Sequence, residues 1–217
     1  LEVPYSDNEI ALALQELIGQ ENIERGMARV TVTARGDGRW LEQTGCDLSI
    51  AVKDLSTTSD SLAPLKLILS QFRVDARRAT SGIKSSSYAD YQLAWRNAHH
   101  AGFDEAVLCN SAGALCEGTR SNIFWARGGT LYTPSLDCGP LPGIARALIL
   151  EWARDEGTIV REGAFAPMEF GSADEVFTTS STFGPRPVGS IGDDNFVSPG
   201  EITQRLMERW DLEVLSI

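Results

Sequence analysis

Lys84 stands in Gly82-Ile83-Lys84-Ser85-Ser86-Ser87-Tyr88 and is one of three lysines, beside Lys53 and Lys66, in a chain whose other basic side chains are arginines. Downstream come Leu115-Cys116-Glu117-Gly118-Thr119-Arg120-Ser121-Asn122-Ile123-Phe124, then Leu141-Pro142-Gly143-Ile144-Ala145-Arg146, then a run of hydroxyls from Thr178 to Thr182. Together these stretches could do chemistry. A lysine amine in its neutral form attacks a carbonyl carbon to make a Schiff base, and a freed amine moves protons. A carboxylate can keep a nitrogen heterocycle protonated, which turns the ring into an electron sink. A helix opened by Pro-Gly offers free backbone N–H groups and the positive end of its dipole, a cradle for a phosphate. Hydroxyls after a buried strand can donate to the same anion or to a carboxylate, although an ordinary Ser/Thr turn has the same composition. Taken singly, the lysine reads as a surface cation, the glutamate as a solvated strand end and Pro142-Gly143 as the start of a core helix.

Taken in order, Lys84, Glu117-Gly118-x-x-x-Asn122-Ile123-Phe124 and Leu141-Pro142-Gly143-Ile144 resemble the fold-type-IV pyridoxal phosphate enzymes: branched-chain and D-amino-acid aminotransferases and aminodeoxychorismate lyase. The resemblance implies pyridoxal 5'-phosphate as cofactor, Lys84 as its Schiff-base lysine and Glu117 as the acid at its ring nitrogen. It implies a phosphate held at Gly143, Ile144 and Ala145. The family has Thr where this chain has Ala145, so only backbone groups could act there. Ser181 matches a further phosphate contact, and the amide of Thr182 would face a substrate carboxylate. Tyr88 matches a tyrosine near the cofactor, with core packing as its other reading. Arg29 matches an arginine that reaches the substrate in some members, and Arg39 is a second candidate for a carboxylate; both could equally be surface arginines. Asn122 reads as structural, and His99 and His100 as exposed.

The elements that must position these residues read as α+β in two domains; the resemblance implies the D-amino-acid-aminotransferase-like architecture, with the cofactor in the cleft between them. Residues 1–54 form a small α+β domain. In it Asp7 caps a helix from about Asn8 to Gly19, with Ile10, Leu12, Leu14 and Leu17 on its apolar side. Strands follow at Ala28–Ala34 and Asp47–Val52. Residues 55–83 read as a connector with a crossing strand, Leu65–Val74, and a basic loop that delivers Lys84. Residues 84–217 form the large cofactor-binding domain: a helix from Tyr88 to Ala101, strands at Glu105–Cys109, Asn122–Arg127 and Thr130–Thr133, a helix from Pro142 to Asp155, strands at Thr158–Arg161 and Glu175–Thr179, and a last helix from Pro199 to Trp210. Gly128-Gly129 supplies a hairpin turn. The resemblance also implies chain before Leu1, including strands of the small domain and an arginine for the phosphate, so a fragment is expected.

A formal charge of −11 over 217 residues argues against a nucleic-acid partner, which needs a basic face. It leaves room for a small anion held by local arginines and helix ends. Cys46, Cys109, Cys116 and Cys138 lack metal-ligand spacing and read as buried, reduced thiols of a cytoplasmic protein with no metal. No apolar run approaches a membrane span. The resemblance implies a homodimer acting on small amino or oxo acids. Within the family, Arg35-Gly36-Asp37-Gly38-Arg39, Ser87-Tyr88 and Arg186-Pro187-Val188 lean toward aminodeoxychorismate lyase, which makes 4-aminobenzoate and pyruvate for folate synthesis. A branched-chain or D-amino-acid aminotransferase stays open, as does a non-catalytic cofactor-binding module.

Overall fold

The computed structural model describes residues 3–36, 43–55 and 63–215, and the chain divides into two compact units, Leu1–Ser61 and Leu62–Ile217. The first unit holds helix α1, Asp7–Glu21, and an antiparallel hairpin of β1, Gly26–Gly36, with β2, Gln43–Asp54. The helix cap is Ser6 rather than Asp7. Ser6 Oγ accepts from the Glu9 amide, and the Glu9 carboxylate accepts from the Ser6 amide at 2.8 Å, so the two satisfy each other's orphan donors. The apolar side is Ile10, Leu14, Leu17 and Ile18, all half-buried. Leu12 falls off this i, i+4, i+7, i+8 stripe and is exposed.

The second unit is built on one mixed sheet in the order β5-β4-β3-β10-β9-β6-β7-β8, with β11 paired to β10. Its strands are β3 (Leu65–Val74), β4 (Glu105–Asn110), β5 (Leu115–Gly118), β6 (Asn122–Arg127), β7 (Thr130–Pro134), β8 (Ile159–Gly163), β9 (Glu175–Ser180), β10 (Gly184–Ile191) and β11 (Asp194–Asn195). Helices α2 (Ala89–His100), α3 (Ile144–Asp155) and α4 (Glu201–Glu213) complete it. The stretch Leu65–Val74, read from sequence within a connector, lies inside this sheet and runs parallel to both β4 and β10. Three strands went unread: β5, β10 and the two-residue β11. β5 is too short for a period to stand out. β10 contains Pro185 and Pro187, which argue against a strand by sequence. Because β3 joins β10 only from Val188 on, the proline stretch has one free flank where a missing N–H removes no ladder bond.

Alternation along the strands sorts the core. Phe124 and Ala126 of β6 and Phe177 of β9 face α3 and α4, packing on Ile149, Trp152, Leu206 and Trp210. Ile123, Trp125 and Val176 face the other way, onto Leu67, Val107, Phe170 and Val188. A third cluster seats α2, through Tyr91, Ala94 and Ala98, on Ala106, Leu108 and Cys116. These clusters make the strand ends around Glu117, Asn122 and Thr179 a rigid frame.

Candidate active site

Glu117 is 7 % exposed and receives a donor on each oxygen: Tyr91 Oη to Oε1 at 2.7 Å and the Leu141 amide to Oε2 at 2.9 Å. A register shift turns it that way. Cys109 pairs with Leu115 and Leu108 pairs with Glu117, so Cys116 is an extra residue in β5. This bulge puts Glu117 opposite Leu108, on the face that α2 covers. Burial raises the Glu117 pKa above the ordinary carboxylate value. The Leu141 amide, the Tyr91 hydroxyl and the charges of Arg78 and Lys84 act in the other direction. Each carboxylate oxygen can accept a second hydrogen bond, so Glu117 keeps acceptor capacity after these two donors.

Gly118 follows because nothing larger fits. A Cβ there would meet Ser121 Oγ and come within 2.7 Å of Glu105 Oε1. Glu105 is itself buried and gathers the turn between β5 and β6, accepting from the Arg120 amide at 2.7 Å, Ser121 Oγ at 3.0 Å and Thr119 Oγ1 at 3.2 Å. Burial raises its pKa as well.

Asn122 ties this turn to the start of α3. Its Nδ2 donates to the Leu141 carbonyl at 2.9 Å, and its Oδ1 sits where a Cβ on Gly143 would fall. Gly143 is the cap residue of α3 and contributes no side chain to it. The first-turn amides of Ile144, Ala145 and Arg146 therefore lack intrahelical acceptors. Ala145 is buried, while the Ile144 side chain points outward at 74 % exposure. Directly across the strand pair from Asn122 lies Thr179, whose side chain shares the same face. Thr179 Oγ1 is buried and has no hydrogen-bond partner.

Lys84 lies in the exposed segment between β3 and α2. That segment is anchored against the loop before α3: Ser81 Oγ donates to the Gly139 carbonyl at 3.4 Å, and Gly82 packs on Pro142. Tyr88 is half-buried at the start of α2. Its hydroxyl donates to the Thr119 carbonyl, and its ring stacks on Tyr91 at 4.8 Å.

The second unit thus brings the Lys84 segment, Glu117, Tyr88 and Gly143–Ala145 into one connected region. Ser181 is exposed and Thr182 half-buried, in the turn that leaves β9 beyond Thr179 and Ser180. Arg29 is exposed on β1, opposite Ala51 in the first unit, and Arg39 lies outside the described residues. His99 and His100 are exposed, and all four cysteines are buried and free. No helix among the described residues is long and apolar enough to cross a membrane.

Sequence reasoning missed Tyr91, Arg78 and Thr179. Tyr91 had a legible signal, since it sits three residues after Tyr88 on one helix face. Thr179 had none apart from its place in the hydroxyl run.

The family model for amino-transferase class IV matches residues 1–191. The chain is 30 % identical to aminodeoxychorismate lyase of Bacillus subtilis over 99 % of its own length and 75 % of that protein's. It is 26 % identical to the branched-chain-amino-acid aminotransferase of Pseudomonas aeruginosa, over 97 % of this chain and 71 % of that one. Among solved structures, the branched-chain amino acid aminotransferase of Thermobaculum terrenum in its PLP form superposes with a TM-score of 0.88 at 25 % identity, over 97 % of this chain and 72 % of that one.

Proposed function

Because the chain belongs to the class IV amino-transferase family and is an enzyme, we propose that it works with pyridoxal 5'-phosphate and is a 4-amino-4-deoxychorismate lyase. The observation that carries the cofactor reading is a buried carboxylate with acceptor capacity left, Glu117, in one connected region with an uncapped helix start and an orphaned buried hydroxyl. These groups fit a ligand that has a basic ring nitrogen at one end and a phosphate at the other. Glu117 would hold the nitrogen, and the first-turn amides of α3 with the Thr179 hydroxyl would hold the phosphate. Ser181 would add a second hydroxyl from the turn beyond β9. Lys84 would join the aldehyde carbon through Nζ. When bound, the cofactor supplies an electron sink next to a substrate amine.

The protein's own part is positional and proton-moving. Lys84 would be the base, its Nζ taking the proton from the carbon beside the substrate amine. Glu117, in its buried seat, would hold a protonated ring nitrogen through its carboxylate. Arg29, Arg39 and the Thr182 amide are the candidates for substrate carboxylates, and Tyr88 would meet the cofactor ring. The lyase reading, and with it a place in folate synthesis, rests on Arg35-Gly36-Asp37-Gly38-Arg39 and on the similarity to the Bacillus subtilis lyase. The second reading, an aminotransferase for branched-chain or D-amino acids, is favoured by the likeness to the Pseudomonas aeruginosa and Thermobaculum terrenum enzymes. A homodimer in the cytoplasm goes with both.

The test is visible absorbance of the protein incubated with pyridoxal 5'-phosphate, beside Lys84→Ala. A yellow band that needs Lys84, with pyruvate released from aminodeoxychorismate, supports the lyase. The same band with amino-group transfer from an amino acid to a 2-oxo acid, and no pyruvate, selects the aminotransferase. Absence of any Lys84-dependent band in folded protein overturns both.

A further inference from the structure

Tyr91 and Arg78 have no part in the cofactor or substrate contacts named so far, yet they face Glu117. Tyr91 Oη donates to Glu117 Oε1 at 2.7 Å and accepts from Arg78 Nη2 at 3.4 Å. The Arg78 guanidinium carbon stands 5.8 Å from the Tyr91 ring centroid, and the ring stacks on Tyr88 with only 6° between planes. Arg78 Nε is buried without a partner, so this guanidinium is not seated by a full hydrogen-bond set of its own. Its described ties run to Tyr91 and to the charge of Glu117. The titratable groups facing Glu117 are Arg78 and Lys84 from the segment after β3, Tyr91 from α2, and Cys116 on its own strand.

We propose that Tyr91, backed by Arg78, is a positioning residue for Glu117, holding the carboxylate's plane and charge ready for a basic ring nitrogen. This rests on the reading of Glu117 given under Proposed function. A carboxylate bonded only by the Leu141 amide could swing about its last torsion. A second donor from a different element fixes its plane. Arg78 polarises the tyrosine hydroxyl, and in a buried site a chain of donors strengthens each member. The arrangement costs little extra order, because the Tyr91 ring is already locked by the Tyr88 stack and the α2 core.

Tyr91→Phe keeps the ring for the stack and removes the hydroxyl, which is both the donor to Glu117 and the acceptor for Arg78. The first readout needs no cofactor: urea unfolding of the wild type and Tyr91→Phe, each with and without Glu117→Gln, across pH. Burial already raises the folded pKa of Glu117, and losing the donor raises it further. The ionised form then penalises folding more, so the stability gap between wild type and Tyr91→Phe opens as pH rises through that folded pKa and closes as pH falls. On the Glu117→Gln background the gap is independent of pH. The second readout is affinity for pyridoxal 5'-phosphate, which Tyr91→Phe weakens about tenfold, in line with the loss of a hydrogen bond to a charged group. Arg78→Met acts in the same direction and Arg78→Lys retains most of the affinity; should Tyr91→Phe fail to fold, Arg78→Met carries both readouts. Parallel pH curves with unchanged cofactor affinity reduce Tyr91 to packing and overturn the proposal. A wild type that forms no Lys84-dependent band instead overturns the cofactor reading of Glu117, and the proposal with it.

Discussion

At the scale of single residues, two side chains sit at a cost to the fold that a ligand could recover. Thr179 Oγ1 is buried and unpartnered. Replacing it by the near-isosteric valine, Thr179→Val, removes an unsatisfied hydroxyl and is expected to stabilise the ligand-free protein by about 1 kcal/mol in urea unfolding. The same change is expected to weaken binding of pyridoxal 5'-phosphate, measured by absorbance titration. A loss of stability, or an unchanged affinity, would remove Thr179 from the phosphate cradle. Glu117 is the second case. Its folded pKa is raised, chiefly by burial, so its contribution favours folding when protonated and is lost as pH rises through the folded pKa. Glu117→Gln keeps the shape and one acceptor oxygen, replaces the other oxygen by an N–H donor, and removes the charge. It should remove the fall in stability that sets in as pH rises above the ordinary carboxylate pKa, while lowering turnover by about a hundredfold or more, since the charge opposite the ring nitrogen is gone. Equal turnover in the two proteins would refute the assigned role.

At the scale of elements, the start of α3 is defined by a glycine and an asparagine from another strand. Gly143 approaches Asn122 so closely that a methyl group would displace the Oδ1 atom, and Asn122 Nδ2 holds the Leu141 carbonyl. Gly143→Ala is expected to cost about 1–3 kcal/mol by overcrowding. Asn122→Ala removes the obstacle, so the double variant should be more stable than the sum of the single losses, a coupling that a double-mutant cycle reads directly. Additive losses would mean the two residues act separately. The bulge at Cys116 is the other element-level device. It is invisible to pattern reading because one extra residue in a short strand leaves no period to detect. With Leu115 held opposite Cys109, an unbulged ladder would put Glu117 opposite Val107, on the other face from Leu108 and Tyr91.

At the scale of the molecule, the three apolar clusters of the described residues all lie within Leu62–Ile217. That unit buries Trp125, Trp152 and Trp210 almost completely. A chain of residues 62–217 is therefore expected to unfold in one cooperative urea transition, with tryptophan emission shifting to the red across it. A gradual, non-cooperative change would show that the larger unit depends on the smaller for its core. Lys84, Glu117, Asn122, Gly143 and Thr179 all belong to this larger unit, whereas Arg29 belongs to the other.

Lys84, Glu117 and the Pro142-Gly143 helix start were legible because each is a local statement: a residue type in a loop, a Glu-Gly step, a helix opening. Most elements were legible for the same reason, since periodicity and turn residues act over a few neighbours. Tertiary structure alone decided the rest. Tyr91 meets Glu117 because α2 packs over β5, Thr179 faces Asn122 because β9 pairs with β6 in one register, and the Leu141 amide reaches Glu117 through a loop folded back from α3. Such contacts join residues far apart in the chain, and their energy comes from burial and pairing that exist only once the sheet has closed around its core.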